Sequence, residues 1–411
     1  GMTAVATEIR KVPVLRSRDD AVAAATRLAE RFAGGAALRD RDRKLPYAEV
    51  DELKASGLLG ITVPAAYGGP ELAPSVAAEV FRIIGAVDAS LAQIPHSHFV
   101  YCNLIRVAAS PEQARALFGR VLDGTLLANA QSERGGKDIT DIRTTLSPDG
   151  RGGLLLDGTK YYCTGTLFAD VVPVLSRTAD PHGLTGFGAG DHIVFVPVTT
   201  TGIAISDDWD AVGQRTTASG TVTLDAVPVR PEWVVPRTAA FDNPNGYGAF
   251  AQLLHAAIEV GIGRGALEAA AEFVRTRSRP WFEADVEQAS DDPFVVQRFG
   301  ELSVEATSAE ALLEHAARAV DLVFADPTPD NASAASIAVA ALKVVAERSA
   351  LAISSALFEV SGTRSAGADD RLDRYWRNAR THTLHDPVRW KLQHLGRHAL
   401  TGQAPPSHGV I

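Results

Sequence analysis

Residues 19–37 repeat apolar side chains (Val22, Ala25, Leu28, Ala29, Phe32) at helical spacing behind the capping candidates Asp19 and Asp20, which predicts a helix. A second helix is predicted from Pro46 to Gly57, a third over about 75–87, and a fourth opening at Ser110-Pro111-Glu112-Gln113. Between the second and third, Val63-Pro64-Ala65-Ala66-Tyr67-Gly68-Gly69-Pro70 reads as a loop. Past Gly124 the period shortens. Leu154-Leu155-Leu156 and Thr159-Lys160-Tyr161-Tyr162-Cys163 look like two strands joined by an Asp157-Gly158 hairpin turn. Short β-rich runs follow over 171–175, 193–198 and 220–224. From Tyr247 onward the pattern is helical again, in alanine-rich stretches over about 247–278, 293–325, 331–361 and 386–400.

The expected architecture is therefore α+β and multidomain: a helical part over 1–125, an antiparallel β domain over 126–236 and a helical bundle over 237–411. The length of 411 residues suits two or three domains. Several of the late stretches, 332–342 above all, are apolar on more than one face, which points to burial in a core or against another subunit.

Composition narrows the partners. Lys and Arg total 40 against 49 Asp and Glu, a formal charge of −9 that argues against a nucleic-acid or anionic-membrane binder. Cys102 and Cys163, the only two cysteines, stand far apart, which excludes a disulfide framework and a Cys-type zinc site and suits a reducing cytoplasm. Gly1-Met2-Thr3-Ala4 carries no apolar leader, and Gly1 before Met2 reads as a cloning scar. No run approaches the roughly 18 apolar residues of a membrane helix, so a soluble cytoplasmic protein is expected.

Four segments are candidates for chemistry. Gly261-Ile262-Gly263-Arg264-Gly265 superficially looks like a dinucleotide-binding turn but lies inside an alanine-rich helix, where small residues serve close packing. Ser132-Glu133-Arg134-Gly135-Gly136 suits the edge of a flat heteroaromatic ring, or simply a polar interdomain loop. Trp209-Asp210-Ala211-Val212-Gly213-Gln214-Arg215-Thr216-Thr217-Ala218-Ser219-Gly220 gathers hydroxyls around one arginine, as a polar ligand edge would; otherwise it is a strand, a turn and a strand. The histidines fall in two tight pairs, His96/His98 and His382/His385. No HExxH or comparable ligand set accompanies them, which speaks against a metal. Capping or surface roles, or acid–base work in a pocket, remain.

The helical–β–helical order, Val63 to Gly69, Lys160-Tyr161-Tyr162-Cys163-Thr164-Gly165, Gly213-Gln214-Arg215 and Asp225-Ala226-Val227-Pro228 together resemble the acyl-CoA dehydrogenase superfamily. The resemblance covers nearly the whole chain. It implies a helical N-terminal domain, a β-barrel-like middle domain, a C-terminal four-helix bundle, a flavin between the last two, and a homotetramer. Dehydrogenases of that family abstract a proton with glutamate in a Tyr-Glu-Gly-Thr stretch. Here the matching run, Thr381-His382-Thr383-Leu384-His385-Asp386-Pro387, has His385-Asp386 instead. The family's Arg-x-x-Phe-Gly reads Arg277-Ser278-Arg279-Pro280-Trp281, and its glycine-rich stretch reads Ser361-Gly362-Thr363-Arg364.

These departures resemble the flavin-dependent monooxygenase branch, typified by dibenzothiophene monooxygenase and related sulfur-acquisition enzymes. The resemblance implies reduced FMN (with FAD as the alternative) supplied by a separate flavin reductase, oxygen, a C4a-hydroperoxyflavin kept dry, and a small aromatic or organosulfur substrate. It makes His96, Cys163, His385 and His382 the catalytic candidates, Cys163 standing where the family has a serine. Asn129, Ser132, Tyr162, Thr164, Arg215 and Arg279 become flavin contacts, and His98 and Asp386 line the substrate pocket. No metal is expected. Two rival readings stay open: an FAD-dependent acyl-CoA dehydrogenase, and a scaffold whose polar residues do not converge.

Overall fold

The computed structural model describes residues 11–180 and 182–406, so the Gly1-Met2 start lies outside the described residues. The N-terminal helices are α1 (Arg18–Ala33), α2 (Ala36–Asp42), α3 (Tyr47–Ala55), α4 (Pro74–Gly85), α5 (Ala89–Gln93), α6 (His96–Ala108) and α7 (Pro111–Leu122). Their starts follow local chemistry. Ser17 caps α1 by accepting from the Asp20 N–H, and Ser110 and Gln113 form a reciprocal capping box on α7 behind Pro111. Three of these helices carry no sequence-based expectation: α2, which restarts the first helix after a Gly34-Gly35 break, the short α5, and α6, which begins at the first histidine pair.

Among the described residues seven strands make the middle layer: β1 (Thr145–Pro148), β2 (Leu154–Cys163), β3 (Val171–Thr178), β4 (Asp191–Pro197), β5 (Ile203–Ser206), β6 (Gly220–Val229) and β7 (Val234–Pro236). They lie in the order β5-β6-β2-β1-β3-β4-β7. Every pairing is antiparallel except β1 with β3, so the sheet is mixed rather than wholly antiparallel. The expected Asp157-Gly158 hairpin is absent: β2 runs straight through it, with an irregular register against β6 between Leu156 and Gly158. Glycine is required there by proximity, since a Cβ would sit 2.2 Å from Thr144 Oγ1. Asp157 accepts from the Ala226 N–H and so pins the neighbouring strand instead of turning the chain.

The C-terminal helices are α8 (Ala239–Asp242), α9 (Tyr247–Thr276), α10 (Pro293–Ala325), α11 (Pro329–Ser361), α12 (Arg374–His382) and α13 (Val388–Thr401). The long ones match the alanine-rich stretches. Asp292 and Thr328 cap α10 and α11, each followed by proline at the first position. Helix α9 is buried almost all round and lies against both α11 and α4. Its glycines permit that approach: a Cβ on Gly261 would meet Arg82 O at 2.4 Å, and one on Gly265 would meet Ala86 O at 2.0 Å. The Gly261-to-Gly265 stretch is thus a helix-packing device. Among the described residues no helix is long and apolar enough to cross a membrane.

Candidate active site

Helix α9 carries a polar stripe through an apolar bundle, with Gln252, His255 and Glu259 on one face at helical spacing. His255 is the centre of the site. Its ring stacks on His96 of α6 (centroids 3.6 Å apart) and on His385 (4.0 Å), forming a three-ring column. Its Nδ1 is hydrogen-bonded to His382 Nε2 at 3.0 Å. His96 and the pair His382/His385, nearly 300 residues apart, therefore meet through a histidine that the sequence alone did not single out.

Hydrogen bonding fixes most of the proton positions. His96 Nε2–H donates to Ala251 O at 2.8 Å, which leaves a lone pair at Nδ1. His385 Nδ1–H donates to His382 O at 2.5 Å, so its Nε2 accepts from the Lys343 ammonium at 3.0 Å. His382 Nδ1 faces Glu259 Oε1 at 3.4 Å, and a proton there relieves the approach of a lone pair to a carboxylate. In that arrangement His255 donates from Nδ1 and keeps its own lone pair at Nε2. Burial holds His96, His255 and His385 neutral. It lowers His96 to about 4, and it pushes His255 and His385 well below the ordinary imidazole value, helped by neighbouring rings and Lys343.

Charged groups wall the column from behind. Lys343 of α11 is 1% exposed and lies 3.7 Å from both Glu259 and Asp386. Asp386 Oδ2 meets Lys391 Nζ of α13 at 2.9 Å. Nitrogens of His255, His382 and His385 converge within 4.8 Å, close enough to suggest a metal. Both His385 nitrogens are engaged, however, and a divalent cation would have to displace the Lys343 ammonium.

A second polar patch lies where β2 meets the loop before β6. Thr164 Oγ1 is 2.6 Å from Ser219 Oγ, which is 2.7 Å from Thr217 Oγ1. Tyr162, Gln214 and Ala218 all take left-handed backbone here (φ +58°, +46° and +49°), a conformation that side chains disfavour. Tyr162 is half exposed and edge-on to Trp209. Asn129, on the segment that pairs with β3, keeps its buried Oδ1 without a hydrogen bond. Ser132 lies exposed nearby, its carbonyl accepting from the Tyr161 N–H.

Several candidates stand elsewhere. His98 is fully buried and used up by the backbone: Nε2–H donates to Leu59 O at 2.7 Å and Nδ1 accepts from the Leu127 N–H at 3.1 Å. It is a core pin, not a pocket residue. Cys163 is also fully buried, packed in the apolar layer of the sheet, and burial pushes its thiol up to about 12. Arg279 sits exposed beyond the end of α9, which puts it ~30 Å along the helix axis from His255. Arg215 lines a small polar cavity with Asp40, Asp88, Arg374 and Asn378 instead. Glu133 and Lys160 form a buried ion pair at 2.5 Å, so that part of the expected ring-edge loop serves structure. Asp386 is buried as a counter-ion to two lysines.

The Gly213-Gln214-Arg215 segment reaches the histidines indirectly. The Gln214 N–H donates to Asn378 Oδ1 at 2.8 Å, and Arg377 donates to Val212 O at 3.0 Å and to Asp40 at 2.6 Å. These bonds clamp α12, whose last residue is His382, between the sheet and the N-terminal helices.

Comparison with known proteins agrees with this layout. The acyl-CoA dehydrogenase N-terminal domain model matches residues 19–125, and the C-terminal domain model matches residues 253–390. Dibenzothiophene monooxygenase of Rhodococcus qingshengii is 34% identical over 405 residues, covering 95% of this chain and 96% of that protein. The probable FMNH2-dependent monooxygenase SfnC of Pseudomonas putida is 33% identical over 401 residues, covering 96% and 98%. The FMN-bound crystal structure of TdsC from Paenibacillus sp. A11-2 superposes with a TM-score of 0.89 at 33% identity, covering 95% of this chain and all of that one. The chain belongs to the acyl-CoA dehydrogenase superfamily, in its branch of flavin-dependent monooxygenases related to dibenzothiophene monooxygenase.

Proposed function

We propose that the chain is a two-component monooxygenase that takes reduced FMN from a separate reductase and uses oxygen to oxygenate a small aromatic or organosulfur molecule. The observation that carries this reading is the column His96–His255–His385, neutral imidazoles where the dehydrogenases of the family keep a carboxylate base. Asp386, the carboxylate that survives in that stretch, is held by Lys391 and Lys343 and serves as their counter-ion.

The residues present suit a flavin. Asn129 has a buried oxygen without a partner, and the Thr164–Ser219–Thr217 hydroxyl chain offers further polar groups. Asn129, Thr164 and Tyr162 would hold the isoalloxazine edge, with Ser132 at its rim. Bound reduced FMN supplies the electrons that activate oxygen. The chain's own task is then to keep the cavity dry and to handle protons. His96, anchored on Ala251 O, takes up or returns a proton at Nδ1, and the stacked His255 does so at Nε2. Packed helices exclude bulk water, which protects an oxygen-reactive centre from wasteful proton delivery.

TdsC binds FMN together with indole in a further crystal structure, and the relatives' named substrate is also a fused aromatic heterocycle. A flat fused aromatic ring is accordingly the substrate class proposed for this chain. The exposed apolar side chains Trp281, Phe282, Phe294 and Leu400 suit a homo-oligomer, the tetramer of the family, in which Arg279 serves a flavin beyond the reach of its own chain. Two free buried cysteines suit a reducing cytoplasm. The test supplies photoreduced FMN, air and dibenzothiophene or indole to the purified protein. Product heavier by one or two oxygen atoms is expected, whereas unchanged substrate with stoichiometric hydrogen peroxide contradicts the reading.

A further inference from the structure

Lys343 sits in the interior of the bundle, 1% exposed, and the proton handling described above does not use it. Its ammonium lies 3.0 Å from His385 Nε2, with Glu259 and Asp386 each at 3.7 Å. The opposite ring nitrogen donates to His382 O, so the two contacts select one tautomer of His385. An imidazole with free rotation presents either nitrogen to its surroundings; this one cannot. We propose that Lys343 is a positioning residue for His385, fixing the ring as the neutral Nδ1–H form by donating to Nε2. The consequence for oxygen transfer rests on the reading above, but the structural inference does not.

Every element packed around His385 contributes charge or a titratable group. Helix α9 brings His255 and Glu259, α6 brings His96, and α11 brings Lys343 and Glu347. His382 and Arg380 come from α12, Lys391 from α13, and Asp386 adjoins His385 directly at 3.2 Å. The two carboxylates nearest His385 favour a protonated ring. Lys343 opposes them by being a cation already in place, and its burial makes the effect stronger than at a surface. One histidine nitrogen and two carboxylates are thus arranged around a cation that the sequence itself provides.

Diethylpyrocarbonate acylates a neutral imidazole at a free lone pair, and the His385 side chain is 22% exposed, open enough to react. Carbethoxylation is followed by peptide mapping in the flavin-free protein, with exposed His315 of α10 and buried His98 as internal references. His385 should react far more slowly than His315 in the wild type. Lys343→Met combined with Glu259→Gln removes both buried charges together. It should raise the His385 rate by about tenfold, the factor expected when a hydrogen bond to a charged group is lost, with His98 unchanged. The pH dependence of that rate should move toward an ordinary histidine, and Lys343→Arg should restore protection. Should the double variant not fold, the wild-type comparison over pH 5 to 8 and Lys343→Arg carry the test. Equal rates at His385 and His315 in the wild type, or no change in the double variant, would overturn the proposal. Because no turnover is read, failure here leaves the monooxygenase assignment standing, and failure of that assignment leaves this result standing.

Discussion

His96 and His98 look alike in the sequence and have opposite fates. They open α6, where residues two apart point about 200° from each other, so one ring faces the stacked column and the other the core. The pair was legible as a cluster, but its split was not, because the helix start at Pro95 carries no side-chain cap. His98→Ala should destabilise the fold by about 3–5 kcal/mol, since Leu59 O and the Leu127 N–H lose their partner in a dry interior. His96→Ala should keep the melting temperature within a few degrees and lower product formation. Paired melts and product assays check both; the reverse pattern would exchange their roles. His255 escaped notice because a single histidine in an alanine-rich helix gives no local signal. Its spacing with Gln252 and Glu259 was the available clue, a polar stripe along a helix otherwise apolar.

Protons link these rings to stability. His96 and His98 sit at about 4 in the folded chain, and His255 and His385 are also lowered, against 6.5 for a free imidazole. A lowered histidine means that the unfolded chain binds more protons, so stability is full above about 6.5 and drains as pH falls toward 4. The loss approaches about 1.4 kcal/mol per ring for each pH unit in that window. Denaturant melts at pH 7, 6 and 5 should show a steep decline. A flat profile would mean that the rings are already charged or exposed in the folded protein.

Elements were legible where their periodicity was long. The three longest helices fell within a few residues of their observed bounds, and proline at the first turn fixed two of them. Helix α12 was not foreseen because it is almost wholly polar and is stabilised by clamps from elsewhere: Asp40, Gln214 and the Val212 carbonyl. The Asp157-Gly158 pair misled for a related reason: its glycine answers to Thr144 across the sheet, and a single sequence does not show that neighbour. Gly213→Ala tests the clamp. The added Cβ would lie 2.0 Å from Arg377 O and 2.6 Å from Thr381 Oγ1, so the loop and α12 must part. A loss of about 1–3 kcal/mol is expected, accompanied by loss of product as His382 moves. Gly300→Ala on α10, with open space at its Cβ, should instead be neutral or stabilising by about 0.5–1 kcal/mol. Lys160→Met tests a different join. Glu133 would remain buried without its cation, at about 3–5 kcal/mol, and the loop it anchors through the Arg143 and Thr144 N–H groups should open. Trypsin cleavage after Arg134 and Lys137 reads this; unchanged resistance would remove the ion pair from the loop's support.

At the scale of the molecule, the sequence conveyed the order of layers and the family, both of which depend on motifs spread along the chain. The assembled site was less legible, since its members come from α6, α9, α11, α12, the turn over 383–386 and α13, and only folding brings them together. Several residues assigned by resemblance alone ended elsewhere: Cys163 in the sheet core, Arg279 at the far end of α9, Arg215 in the polar cavity beside α12. In the function proposed above, the imidazole column separates the two chemistries open to this fold. The most direct test is a rapid-mixing comparison on one preparation. Protein loaded with reduced FMN is mixed with 18O-labelled oxygen and dibenzothiophene; separately, protein loaded with oxidised flavin is mixed anaerobically with an acyl-CoA. The account predicts label in the aromatic product and no bleaching by the thioester. Bleaching of the oxidised flavin by acyl-CoA, with no label transferred in the first mixture, would contradict it.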